Sequence, residues 1–224
     1  LGVAQGGMVD TPDGDWYAFM FQDRGALGRA PVLMPMHFED GFPIIGENGK
    51  VPEVVTVLDT GYQYAAINGS DDFFYKPDEN GQITLKNFWE FNHQQMDDFW
   101  SVTENPGHLR LHSAKLSPTL FQAYNTLTQR TVGPKCAAEV TLRFAHMKNG
   151  DVAGISTFIG NYGFTGVKKE NDQFYLIMMG RPAKDTTVFG QFEYENPGLE
   201  YQRVPIIDTS VCLRAEADFT DKKD

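Results

Sequence analysis

The sequence has little of what long helices, membrane spans and nucleic-acid-binding surfaces require. No window carries apolar residues at a sustained spacing of three and four, and no apolar run approaches the roughly 18 residues of a membrane helix. Basic residues are in deficit, with 19 Lys and Arg against 30 Asp and Glu and a net charge of -11. Because phosphate neutralisation needs clustered basic side chains, we expect no nucleic-acid partner. Without a long apolar run, we expect no membrane partner either. A neutral ligand such as a sugar is compatible with this charge.

Cysteine is also scarce, and the chain shows no targeting signal. Cys136 and Cys212 lie far apart and match no metal-ligand spacing. We expect two small residues on strands, with a disulfide as the alternative if those strands pair. The N-terminus, LGVAQGGMVD, lacks the basic region and the hydrophobic stretch of a signal peptide.

Short strand-like runs separated by turn residues make up the first stretch. A run at residues 8–10 leads into Thr11-Pro12-Asp13-Gly14, in which Pro presets φ and Gly accepts a positive φ. Strands are predicted at 16–22 and 31–36, with a second turn at 38–41. This pattern predicts a β-meander, which propeller blades share with many other all-β folds.

Residues 46–83 differ in character, because Gly, Pro, Asn and Asp interrupt them repeatedly. We interpret them as an irregular connection and the best candidate for a boundary. The strand pattern resumes from Phe88, and this spacing of short strands predicts a sandwich or a barrel. The predicted domains are 1–70 and 71–224. The predicted strands of the second part are 100–103, 109–112, 137–144, 152–159, 163–168, 174–179, 189–194 and 211–219. Because both ends lie inside a motif or an unclosed strand pattern, we expect a piece of a longer chain.

Two sets of motifs, in this order along the chain, resemble parts of glycoside hydrolase family 43. The first set is QGGMVDTPDGDWY at 5–17, FQDRGALGR at 21–29, LMP at 33–35 and EDGFP at 39–43, and it resembles the last propeller blade. The second set is NFWEFNH at 87–93, WSVTE at 100–104, PGHLRL at 106–111, NTLTQRT at 125–131 and GDVAG at 150–154. It resembles the concanavalin-like C-terminal sandwich of β-xylosidases.

The resemblance implies an all-β chain: the end of a five-bladed β-propeller followed by a concanavalin-like β-sandwich (jelly roll), incomplete at both ends. It implies hydrolysis of xylosides or arabinosides with inversion, by a carboxylate base, a carboxylic acid and a third carboxylate that tunes the acid. In the family these three groups lie on earlier blades. We therefore assign no catalytic residue to this chain, which alone should be inactive.

Arg29 is the strongest candidate for a sugar contact. By resemblance, the arginine of the Gly-Arg motif reaches the sugar pocket, and a guanidinium suits hydroxyl groups because it offers a planar fork of donors. Gln5 is a weaker candidate for lining the same pocket. Family members commonly carry His before Gln-Gly-Gly, near a bound ion or water, whereas this chain has Ala4. The prediction is that no cofactor is required, with a structural calcium ion as the one optional addition.

The other polar and aromatic residues have ordinary interpretations. We expect solvated turn positions for Asp13 and Asp15, and surface positions for Glu104 and Glu139. In the pairs Asp71-Asp72 and Asp97-Asp98, neighbours should point to opposite faces. The histidines, His108 and His112 included, are expected to bind no metal. Trp89 and Trp100 fit the sandwich core better than a sugar-stacking platform, which stays the alternative.

The sequence thus predicts part of a glycosidase acting on plant hemicellulose. The expected partners are a xylo- or arabino-oligosaccharide and the rest of the propeller. A non-catalytic carbohydrate-binding sandwich is the alternative function. An extracellular or periplasmic location is expected, with a cytoplasmic one as the alternative.

Overall fold

The computed structural model describes residues 2–57, 59–113, 115–124, 126–159, 161–181 and 196–220. Within these ranges the chain has no α-helix, and its helical turns are three short 3-10 segments, Gly25–Leu27, Asp97–Phe99 and Leu120–Gln122. The strands are β1 Val3–Asp10, β2 Trp16–Asp23, β3 Arg29–Glu39, β4 Phe42–Ile45, β5 Glu90–Phe91, β6 Trp100–Ser101, β7 Arg110–Leu111, β8 Leu127–Thr128, β9 Lys135–Arg143, β10 Val152–Phe158, β11 Tyr162–Glu170, β12 Gln173–Arg181, β13 Leu199–Ile206 and β14 Ser210–Asp218. The all-β prediction is confirmed.

The chain divides into two compact units. The first consists of Leu1–Tyr64 with Val132–Lys135 and Asp218–Asp224, and the second of Ala65–Thr131 with Cys136–Ala217. The predicted boundary between residues 70 and 71 stays a prediction.

The first unit is built on a four-stranded antiparallel sheet in the order β1-β2-β3-β4. The turn at 11–14 forms as predicted: Gly14 has φ 90, and the Asp15 N–H donates to Thr11 Oγ1 at 3.2 Å. The second turn is tighter than the predicted 38–41, because β3 continues to Glu39. It uses only Asp40 and Gly41, whose φ values of 48 and 83 are those of a two-residue type I′ hairpin.

One face of this sheet carries its small core. Ala18 and Met34 lie opposite each other on β2 and β3, and they are 1% and 2% exposed. Met36 completes the buried cluster. Residues of opposite parity point to the other face, where Phe19 is 54% exposed. The two faces of this sheet therefore differ, as they do in an antiparallel sheet with one buried face.

The second unit contains a four-stranded antiparallel sheet in the order β10-β11-β12-β13. Gly154 and Gly166 lie directly opposite each other on β10 and β11. A Cβ on Gly154 would lie 2.2 Å from the Thr165 carbonyl oxygen and 2.8 Å from the Phe164 ring. The Phe164 ring thus occupies the space that a side chain at position 154 would fill, and this position requires glycine.

Both faces of this sheet are covered in part, as a layered β fold requires. Val167 pairs with Leu176 and shares its face, so Ile177, the next residue on β12, points to the opposite face. Val167 and Ile177 are only 0% and 2% exposed, which shows that both faces are covered at this point. Phe144 packs edge-to-face on Phe174 at 5.0 Å between ring centroids on the Val167 side. Residues 120–122 contribute a ring contact to Phe158 on the Ile177 side.

The described part of the second unit also contains three two-stranded pairs, namely β9 with β14, β5 with β8, and β6 with β7. Although β9 and β14 pair, Cys136 and Cys212 are free thiols, so the alternative of a disulfide is not realised. A hydrogen bond to Glu139, together with some burial, raises the pKa of the Cys212 thiol.

The strand predictions differ from the structure mainly at edges and ends. The edge strands β4 and β13 were not predicted, since Pro43 and Pro205 interrupt their sequences, but proline is tolerated at a sheet edge. β1 begins at Val3, not at residue 8, while β6 and β7 are shorter than the predicted 100–103 and 109–112. The predicted strand 189–194 lies outside the described residues. Among those described between 46 and 89, the only strand-like feature is the bridge from Glu47 to Lys50.

Candidate functional site

Arg29, the main candidate for a sugar contact, is the first residue of β3 and is exposed. Its guanidinium carbon lies 4.5 Å from the centre of the Phe21 ring on the neighbouring strand. Arg29 pairs in register with Asp23, but the Asp23 carboxylate accepts the Gly25 N–H at 3.0 Å. Among the described residues Arg29 has no ion pair, so a cation–π contact holds the side chain while its N–H donors stay available.

Gln5 lies in a β-bulge on β1. The register between β1 and β2 shifts between Ala4, which pairs with Phe21, and Gly6, which pairs with Met20. Gln5 is the extra residue, with φ 47 and an exposed side chain. Bulges bend a strand and redirect one side chain, here the amide of Gln5.

The structure brings these two candidates to the same end of the sheet. The register places Ala4 and Pro31 on either side of Phe21, so the bulge on β1 and the start of β3 flank one stretch of β2. A guanidinium and an amide at this end offer hydrogen bonds to hydroxyl groups. Neither is a carboxyl group, which glycoside hydrolysis uses as acid and base, so the pair can bind a sugar and not hydrolyse it. Phe21 was missed, although its position follows from the hairpin register.

The structure adds little support for the axial ion that the resemblance suggests, which stays a prediction. Ala4 supplies no donor atom, and the described part of the chain has no group of three or more His, Cys, Asp and Glu residues able to hold a metal. His112 contacts Glu104 at 2.9 Å, and the ring of His108 faces the Pro106 carbonyl.

No described helix is long and apolar enough to cross a membrane.

The remaining acidic residues behave largely as expected. Asp13 and Asp15 are exposed at the far end of the first sheet. Glu104 and Glu139 have side chains 48% and 56% exposed, each paired with an arginine. Asp71 and Asp72 do point apart: the Asp72 side chain is exposed, whereas the Asp71 side chain is fully buried. This burial was not predicted from the sequence.

Asp71 is the centre of a polar cluster in the second unit. Its carboxylate accepts hydrogen bonds from Trp89 Nε1 at 2.8 Å, from the Phe73 N–H at 2.9 Å and from the Tyr75 hydroxyl. Lys86 Nζ lies 3.1 Å away and also donates to the Ser70 carbonyl. Nothing local in the sequence distinguishes Asp71 from Asp72, because Trp89 and Lys86 approach from a later segment.

Comparison with known proteins decides the family. A family model described as the beta xylosidase C-terminal concanavalin A-like domain matches residues 78–223. The chain belongs to this family. The predicted resemblance to glycoside hydrolase family 43 and the predicted all-β fold with a concanavalin-like sandwich are both confirmed.

Solved structures extend the likeness beyond the sandwich. One of them, a bifunctional GH43-CE protein from Bacteroides eggerthii, is similar at 37% identity and a TM-score of 0.79, over 98% of this chain and 26% of that one. A second structure, of a GH43 glycoside hydrolase engineered to display endo-xylanase and exo-arabinofuranosidase activity, is similar at 29% identity and a TM-score of 0.77. That match covers 98% of this chain and 42% of the other.

Curated relatives give the same family. A beta-xylosidase from Formosa agariphila is 30% identical over 80% of this chain and 35% of its own length. A non-reducing end alpha-L-arabinofuranosidase from Bacteroides ovatus is 26% identical over 68% of this chain and 29% of its own length. The chain spans about a third of the length of the curated relatives it matches.

Proposed function

We propose that this chain is the junction between propeller and sandwich in a glycoside hydrolase of family 43, and that the whole polypeptide hydrolyses xylosides or arabinosides with inversion. The carboxylates for this chemistry belong to other blades, and this chain contributes Arg29 and Gln5 to substrate binding. The family match and the xylosidase and arabinofuranosidase relatives support the reaction class.

The observation that carries the proposed role of this chain is the position of Arg29 on Phe21. In a salt bridge, the N–H donors of an arginine bond to the carboxylate. In a cation–π contact, the guanidinium lies on the face of a ring and its N–H donors stay free. A fixed side chain with free donors, next to an amide in a bulge, suits the hydroxyl groups of a pentose. The neutral charge of such a ligand is also compatible with an acidic protein.

The rest of the propeller is the proposed partner of the first sheet. Phe42 and Phe19 are 72% and 54% exposed, and Met8 and Val9 on β1 are about half exposed. Apolar side chains on both faces of one sheet are typical of a layer that packs between two others.

Substitution of Arg29 tests the proposed contact. In the full-length polypeptide, Arg29→Ala should lower kcat/KM for aryl xylosides or arabinosides about 10- to 100-fold, because a hydrogen bond from a charged donor contributes about 1.5–3 kcal/mol. Arg29→Lys should recover part of this loss, since it keeps the charge without the planar fork. Steady-state kinetics on both glycosides provide the measurement.

Arg24→Ala is the matched control. Arg24 is exposed five positions earlier in the sequence, immediately before the 3-10 segment Gly25–Leu27. Its replacement should leave kcat/KM unchanged. Equal losses for the two variants, or full activity of Arg29→Ala, would remove Arg29 from the substrate site.

A further inference from the structure

A cleft of about 310 Å³ opens in the second unit, in the part of the chain around Trp89. Its volume is at the lower end of the range of about 300 to 1,000 Å³ found for small-molecule sites. Three aromatic rings line it, those of Trp89, Phe91 and Trp100. Neither Arg29 nor Gln5 is among its lining residues, so the cleft is additional to the contacts proposed above.

The two indole rings that line the cleft have fixed orientations. Trp89 donates its N–H to buried Asp71, and Phe73 stacks on the ring with centroids 5.8 Å apart and planes at 24°. Trp100 donates its N–H to Asp97 Oδ1 at 3.2 Å. Because both N–H groups are already used, the rings offer a ligand apolar surface and not hydrogen bonds. Fixed aromatic surface is what the C–H face of a sugar ring packs against.

The polar groups of the cleft are neutral and partly free. Asn87 and Thr84 are exposed, and in the described structure their side chains make no hydrogen bond. Gln95 uses its amide nitrogen on Asp97 Oδ1 at 2.7 Å, and its carbonyl oxygen stays available. Donors and acceptors of this kind complement hydroxyl groups, each of which both donates and accepts.

The charges at the cleft favour a neutral ligand over an anionic one. Lys86 is the one charged residue that lines the cleft, and its ammonium group is paired with Asp71 at 3.1 Å. An anionic ligand would have to compete with a fully buried carboxylate for this cation. The cleft therefore combines aromatic surface, free amide and hydroxyl groups, and no unpaired charge.

We propose that this cleft is a second carbohydrate site, which binds a neutral pentose unit of a xylan- or arabinan-type chain. The aromatic rings pack on the sugar face, and Thr84, Asn87 and Gln95 hydrogen-bond its hydroxyl groups. The identity of the sugar rests on the proposed function, whereas the presence of a neutral sugar site rests on the lining of the cleft alone.

Titration with xylohexaose and arabinohexaose tests this site. Two of the three tryptophans of the chain line the cleft, so saturable binding of at least one oligosaccharide should change tryptophan emission, with a matching calorimetric signal. The titrations use the 224-residue chain and the longest polypeptide that contains it. Asn87→Ala should weaken binding about 3- to 10-fold, the effect of one neutral hydrogen bond, and Gln95→Ala should do the same.

Gln202→Ala is the matched control, an exposed amide on β13 that is not part of the lining. It should bind as the unmodified protein does, and all variants should keep the same melting temperature. The proposal is overturned if neither oligosaccharide binds, or if Asn87→Ala and Gln95→Ala bind like Gln202→Ala. It is also overturned if the short chain binds and the longer polypeptide does not, since another part of the polypeptide then fills the cleft.

The proposed function and the second site can fail separately. Hydrolysis of aryl glycosides by the longer polypeptide tests the former and does not enter the binding measurement. An inactive polypeptide with a functional cleft would leave the second site standing, and an active polypeptide without cleft binding would remove that site alone.

Discussion

At the scale of single residues, Asp71 has the largest consequences. Burial alone would raise the pKa of its carboxyl group, but the surrounding donors, first among them the Tyr75 hydroxyl, outweigh burial and hold the pKa below its ordinary value of 3.8. Burial and the hydrogen bond to this carboxylate together raise the pKa of Tyr75 to about 12. The aspartate is thus ionised, and it fixes the indole of Trp89 by accepting its N–H.

Removing this carboxylate should destabilise the second unit. Asp71→Ala leaves the Trp89 and Tyr75 donors without their acceptor and removes the ion-pair partner of Lys86. Breaking such a buried set costs about 3 kcal/mol. Asp72→Ala is the control, since Asp72 is exposed and, among the described residues, its carboxylate accepts only a long hydrogen bond of 3.3 Å from the Phe74 N–H. Its cost should stay within about 0.5 kcal/mol. Urea denaturation followed by tryptophan emission measures both, and similar values for the two variants would contradict the cluster.

The pH dependence of stability follows from the same group. A carboxyl group whose pKa is lower in the folded than in the unfolded state stabilises the fold above the unfolded value, and this contribution disappears as the pH falls through the folded pKa. The free energy of unfolding should therefore decrease as the pH drops below 3.8. Asp71→Ala should flatten this slope, and Asp72→Ala should keep it. Glu170, with its pKa lowered to about 2 by Lys168 and Arg203, accounts for part of the remaining slope.

At the scale of elements, the bulge that presents Gln5 depends on the glycine after it. A Cβ on Gly6 would lie 2.1 Å from the Phe19 carbonyl oxygen, which belongs to the backbone of the paired strand and cannot move aside cheaply. Gly6→Ala should therefore disrupt the pairing of β1 with β2 and cost about 1–3 kcal/mol. Gly7→Ala is the control, because nothing lies within 4 Å of its Cβ position. Thermal unfolding of the two variants should differ clearly, and equal melting temperatures would argue against the bulge.

The sequence predicts best what is determined locally. The hairpin at 11–14 follows from adjacent Pro, Asp and Gly, and so does most of the meander. Edge strands such as β13 were missed. A strand at a sheet edge tolerates Pro205 and polar residues, which weaken the apolar pattern that predicts a strand. The cleft was unpredictable for another reason. It requires Trp89 and Trp100 to line one space and Asp71 to hold Trp89, and residue spacing contains no information about such contacts.

At the scale of the whole molecule, the 224 residues by themselves should not hydrolyse glycosides. Inverting hydrolysis needs two carboxyl groups about 6.5–9.5 Å apart across a sugar. On the first sheet the candidate sugar contacts are a guanidinium and an amide, and nearby Asp23 is used within its own turn. Aryl xyloside and arabinoside assays on this chain should give background rates, while the longer polypeptide should be active. A clear turnover by the short chain would show that the acid and base lie within it.

The outer strands of the first sheet have a consequence for the behaviour of this unit in solution. β1 and β4 are its outer strands, one interrupted by the bulge at Gln5 and the other by Pro43. A bulge twists an edge away from a straight partner, and a proline removes a donor that an added strand would need. Despite its exposed apolar side chains, the sheet therefore resists growth by strand addition at either edge. Self-association of this unit, where it occurs, should proceed through side chains on its faces and not toward fibrils.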